Sequence, residues 1–311
     1  MRKLLIDSEG RLRTGWRLLV FGALAMVLQT AIVLLIGLFF DPRALIQSPL
    51  ASSDPIALLS NGLGIVVATI TVYVARRWLD RRPFVSLGLS LEGPWIMYIL
   101  GGALLGVALQ AGIFLTELAL GWLAIDQVGW RGRGSPLVGL MIMVLVFLAV
   151  AWNEELIVRG YLFQNLESGL GTTPAVVISS VIFGFLHIFN DNSSVIASLG
   201  VAFAGVLLAV AYLVTRSLWL PIGIHFGWNF GEGPLFGFPV SGIDAGGLVS
   251  HRVIGPESIT GGAFGPEAGL VSIVAELVGI ALLWLWYRHQ HDMELAENSS
   301  AHSTTSQGNP Q

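Results

Sequence analysis

The chain has 311 residues, 54% of them hydrophobic and only 12% charged, with a mean hydropathy of +0.75. Soluble domains carry roughly a quarter charged residues, so this composition excludes an ordinary soluble domain. The net charge of −4 gives no support for nucleic-acid binding, and the absence of cysteine excludes disulfides, thiolate metal ligands and a cysteine nucleophile.

Several nearly uncharged runs reach about 20 residues, the length that crosses the hydrocarbon core of a bilayer. The expectation is an all-α, polytopic transmembrane helical bundle of about eight spans: 16–40, 56–75, 95–118, 137–163, 174–190, 195–214, 218–232 and 267–287. The mixed, charged head MRKLLIDSEGRLRTGWR precedes an apolar run longer than a signal-peptide core, which reads as a permanent first span. Residues 1–15 then form a cytoplasmic segment, 16–290 a single membrane domain with a core at 137–235, and 291–311 a polar, disordered tail. Residues 233–266 read as a Gly-rich loop, and Gly102 and Gly106 have the spacing that lets membrane helices approach closely.

Lysine and arginine set orientation. With the N-terminus inside, the cytoplasmic side holds eleven (Arg2, Lys3, Arg11, Arg13, Arg17, Arg76, Arg77, Arg81, Arg82, Arg216, Arg288) and the other side four (Arg43, Arg131, Arg133, Arg252). Both termini are therefore expected in the cytoplasm.

Ionisable groups inside spans are costly and mark function or internal pairing. They occur at Glu154, Glu155 and Arg159 in AWNEELIVRGYLF, at His187 in FGFLH, at His225 with Asn229 in HFGWN, and at Glu276. Glu155 and Arg159 are i,i+4 with the acid first, the favourable order for a helix pair. Glu154 lies about 100° away around the helix and is left for another partner. It sits about 16 residues before the 169–171 turn, and His187 about 16 after it. In a hairpin both then lie at one depth, roughly 24 Å from the turn. His225 and Asn229 share a helix face and join them. Glu276 receives no role.

A carboxylate and an imidazole can hold a water between them and draw off its proton as it attacks a carbonyl. A second imidazole and an amide supply donors to the developing oxyanion. Two histidines and a glutamate (Glu154, His187, His225) are also a zinc ligand set, although the HExxH signature is absent. A proton pathway or a partner-binding scaffold using the same cavity are the non-enzymatic alternatives.

These segments resemble the type II CAAX prenyl endopeptidases and their bacterial relatives, the CPBP or Abi intramembrane proteases. The family pattern EExxxR, FxxxH, HxxxN reads here as Glu154-Glu155-xxx-Arg159, Phe183-xxx-His187 and His225-xxx-Asn229, over about residues 140–235. The resemblance implies an intramembrane endopeptidase acting on a membrane-associated or lipidated peptide, with membrane lipid around it. Glu154 and His187 would activate water, His225 and Asn229 would form the oxyanion hole, and Glu155 and Arg159 would support the site. It implies no certain cofactor, zinc being possible, and for the bacterial relatives a multi-pass protein of the cell membrane.

Overall fold

The computed structural model describes residues 5–6, 10–38, 55–132 and 134–306. Its elements in chain order are α1 (Thr14–Gly37), α2 (Pro55–Val74), α3 (Trp95–Ala119), β1 (Leu123–Val128), α4 (Pro136–Glu155), α5 (Gln164–Leu170), α6 (Thr172–Leu186), α7 (Val195–Thr215), α8 (Trp219–Phe230), β2 (Val249–Val253), the single turn α9 (Glu257–Thr260) and α10 (Leu270–Ser306). Between α4 and α5 the helix does not break but loosens into π geometry over Leu156–Phe163. The starts have local causes. The Ser135 hydroxyl accepts from the Val138 amide with Pro136 at the first helical position of α4, and Ser194 accepts from Ala197 at the start of α7.

Among the described residues, seven helices are long and apolar enough to cross a membrane: Thr14–Leu35, Gly62–Leu79, Trp95–Ala119, Pro136–Leu170, Thr172–Phe189, Val195–Thr215 and Leu270–Met293. The architecture is a polytopic all-α bundle. Large apolar side chains such as Leu145 and Val181 are more than half exposed, while charged and polar groups are buried. That distribution suits a lipid surround.

Two expectations change. The stretch read as a span at 218–232 is α8, only 12 residues long, followed by a π turn over Gly231–Leu235. It is buried over most of its length by neighbouring helices. The polar segment beyond 290, expected to be an unstructured tail, continues α10 as helix to Ser306; residues 307–311 lie outside the described residues.

What holds α8 is close contact with α3. A Cβ on Gly102 would lie 2.6 Å from the Leu220 carbonyl oxygen and 2.8 Å from the Ile224 amide, and one on Gly106 would overlap Ile224 and Trp228. The converse holds at Gly223 and Gly227, whose added Cβ would strike the backbones of Ile99 and Ala103. Interlocked glycines let the two backbones meet, the usual means of packing helices where lipid offers no hydrophobic drive.

At one end of the bundle a buried ionic clasp ties α1, α2 and the α4–α5 rod. Asp80 accepts from Arg17 at 3.2 Å and from Arg76 at 2.9 Å, and also from Asn165 at 3.2 Å. Asp80→Ala would leave two arginines uncompensated in a nearly dry site. It is expected to cost about 3–5 kcal/mol, read as a lower Tm of the purified protein in detergent. An unchanged Tm would show that the clasp contributes nothing net.

At the other end, β1 and β2 pair antiparallel, with Leu123 opposite Val253 and a register shift between Ile125 and Gln127. This ribbon and the 233–266 segment cap the bundle.

Candidate active site

Glu154 and Glu155 are the last two residues of α4 before the π segment. The Glu155 carboxylate is fully buried, and its Oε1 accepts from Arg159 at 2.9 Å and pairs with His225 Nδ1 at 2.9 Å. The Arg159 guanidinium also donates to the Gly205 carbonyl on α7 at 3.0 Å and stacks 4.3 Å from the Phe183 ring centre. The i,i+4 pair expected from spacing is present, but Glu155 does more than neutralise Arg159. It anchors the imidazole of His225 across 70 residues of sequence.

His187 terminates α6, where the helix tightens into a 3₁₀ turn. Its Nδ1 lies 2.8 Å from the Phe183 carbonyl. A carbonyl only accepts, so Nδ1 carries the proton and Nε2 keeps its lone pair. That Nε2 is 3.9 Å from Glu154 Oε2, and His225 Nε2 is 3.8 Å from the same oxygen. Glu154 Oε2 is buried with no direct hydrogen-bond partner among the described residues. Both gaps exceed hydrogen-bond length and fall in the range one water can bridge.

One cavity brings these groups together with Asn190, Asn229, Ser241 and Glu267. Asn229, one turn beyond His225 on α8, is buried and lines the cavity. Glu154, His187, His225 and Asn229 thus meet in one chamber, with Glu155 and Arg159 packed behind it. Its apolar wall includes Phe147, Val150, Leu207 and Leu208. No lysine or arginine lines it among the described residues.

Glu267 is the cavity residue that sequence reasoning missed. Its carboxylate accepts from Trp228 Nε1 at 3.2 Å and from the Ser241 hydroxyl at 2.6 Å. That joins α8, the 233–266 segment and the start of α10 at the cavity wall. In sequence it sits in GPEAG, at the first residue of the span expected over 267–287, and only its burial distinguishes it. Glu276, and Glu232, which the sequence did not single out, are fully buried, and neither lines the cavity.

Zinc does not fit this donor set as it stands. Among the described residues no group of three histidine, aspartate or glutamate side chains is placed to hold a metal ion. The 3.8 and 3.9 Å separations within the Glu154, His187, His225 set exceed the roughly 3.3–3.4 Å between ligand atoms that zinc bonds near 2.0–2.1 Å imply at tetrahedral angles.

Fold and site together define a multi-pass integral membrane protein with a glutamate–histidine centre enclosed by its helices. Residues 136–231, the stretch from the start of α4 to the end of α8, match the family model described as type II CAAX prenyl endopeptidase Rce1-like. That match supports a CAAX protease/CPBP-like family and, at the level of class, a protease. Comparison with curated proteins gives no match.

Proposed function

We propose that the chain is an intramembrane endopeptidase in which Glu154 and His187 activate water against a peptide carbonyl. The observation that carries this reading is the approach of two imidazole Nε2 atoms, at 3.8 and 3.9 Å, to the buried Glu154 Oε2, which has no direct hydrogen-bond partner among the described residues. A water held there donates one hydrogen to Glu154 Oε2 and the other to the His187 Nε2 lone pair. Its own lone pair is then free to attack. Glu154 takes the proton as the carbon–oxygen bond forms and returns it to the leaving amine.

The oxyanion falls to His225 and Asn229. The Asn229 amide donates directly. His225 gives its Nδ1 proton to Glu155, so donation from Nε2 requires the imidazolium, with Glu155 as counter-ion. Arg159 balances that carboxylate and takes no part in bond making. A membrane-associated peptide is the substrate class, entering an apolar-walled chamber bordered by lipid.

The test is comparative proteomics of cells carrying wild-type or Glu154→Gln protein. Uncleaved membrane or lipidated peptides should accumulate with the variant. Identical peptide profiles from a variant that is folded and inserted would overturn the reading.

Activity without a resident metal is part of the same proposal. Exhaustive treatment with a chelator is expected to leave peptide cleavage unchanged, with less than stoichiometric zinc by elemental analysis. Activity lost to the chelator and restored by zinc alone would replace the water-activating pair with a metal site.

One observation favours a different reading, a proton pathway. Glu117, Glu232 and Glu276 are fully buried outside the cavity, and the Glu117 and Glu276 carboxylates have no donor among the described residues. Proton flux in reconstituted vesicles, abolished by His187→Ala, would support it over proteolysis.

A further inference from the structure

The described connections between helices sort into two sets that touch only within themselves. Arg17 near the start of α1 donates to Ser168 at 3.4 Å, and Arg76 donates to Gln164 at 3.0 Å. Arg216 pairs with Glu167 at 2.8 Å, and the Leu218 amide donates to Gly88 at 2.9 Å. The start of α1 and the turns at 80–94, 168–171 and 215–218 therefore form one face.

The second set is the cap. Gly129 donates to Leu248 at 2.8 Å, Arg131 to Gly247 at 3.0 Å and Ile254 to Trp122 at 2.7 Å. Asn190, after α6, donates to the Ser241 carbonyl at 3.0 Å. The connections at 120–135, 187–194 and 236–256 therefore form the opposite face.

The cavity belongs to the second face. Asn190, Val240, Ser241, Ile243 and Ala245 of the cap line it, whereas no residue from the turns of the first face does. His187 is itself the last turn of its membrane helix on that side. The catalytic depth expected from the hairpin, roughly 24 Å from the 169–171 turn, agrees.

Charge orients the two faces. Arg11, Arg13, Arg17, Arg76, Arg77, Arg81, Arg82 and Arg216 belong to the first, and the described basic residues of the cap are Arg131 and Arg252. Basic residues flanking spans are retained in the cytoplasm, so the cap and the cavity mouth lie on the other side. We infer that the site receives its substrate from the non-cytoplasmic face. Its class is a peptide segment exposed outside the cytoplasm, and not a lipidated C-terminus displayed inside it.

The lining chemistry agrees. Glu154 and Glu267 border the cavity with no lysine or arginine beside them, and the His225 imidazole is already paired with Glu155, so a free terminal carboxylate finds no spare guanidinium or ammonium there. The substrate statement rests on the endopeptidase reading; the orientation does not.

The chain contains no cysteine, so single cysteines report position without background. Gln127→Cys and Asp244→Cys mark the cap, and Glu92→Cys marks the opposite face, all at exposed positions. Intact cells expressing each full-length variant are treated with a membrane-impermeant maleimide, then compared with permeabilised cells. Gln127→Cys and Asp244→Cys are expected to label equally in both, and Glu92→Cys only after permeabilisation. The reverse pattern would place the cavity mouth in the cytoplasm and overturn the inference while leaving the proposed chemistry untouched. Loss of cleavage in Glu154→Gln is read separately, so the two can fail independently.

Discussion

Glu154→Gln protein is expected to fold, insert and lose peptide cleavage by about 10²–10⁴-fold, the contribution typical of a positioned general base. Glutamine keeps the shape and polarity of the side chain but cannot accept the water's proton. Because Glu154 Oε2 has no direct partner among the described residues, the exchange breaks no protein hydrogen bond at that atom. Stability should therefore change little while turnover collapses. The measurement pairs single-turnover cleavage with Tm in detergent. Full activity in a folded Glu154→Gln protein would remove Glu154 from the chemistry, whatever else the cavity does.

Arg159→Leu should show the opposite balance. The guanidinium is fully buried and held by Glu155, the Gly205 carbonyl and the Phe183 ring. Its removal leaves the Glu155 carboxylate in a dry site with His225 beside it and no guanidinium, and breaking a buried pair costs about 3–5 kcal/mol. The double substitution Glu155→Leu with Arg159→Leu removes both charges and should recover part of that loss. Activity should not return with it, because His225 then loses the carboxylate 2.9 Å from its Nδ1. Thermal unfolding and cleavage of the single and double variants separate these effects. A double variant as active as the parent would show that Glu155 does not orient His225.

Together these two predictions divide adjacent carboxylates. Glu154 points to the cavity and Glu155 away from it, into packed helix. The π segment that follows them adds to the separation. Its looser winding over Leu156–Phe163 is of the kind found mainly at functional sites, and it places Arg159 where it meets α7 and Phe183 together.

The sequence by itself determined the class of fold, because hydrophobic runs of bilayer length leave an all-helical bundle as the available solution. It also determined the Glu155–Arg159 pair, since residues four apart on a helix meet whatever surrounds them. The facing of Glu154 and His187 was legible by counting outward from one turn, because helical rise is constant. The rest needed tertiary structure. That Glu155 also holds His225 depends on where α8 lies, and α8 lies where paired glycines let it press against α3. Glu267 shows the same limit: at the edge of an expected span nothing marks it as a cavity residue until the chain folds it against Trp228 and Ser241. Periodicity and spacing act within one helix, whereas burial and partners are properties of surfaces brought together from distant segments. Only those surfaces decided which carboxylates face the cavity and on which side of the bundle it opens.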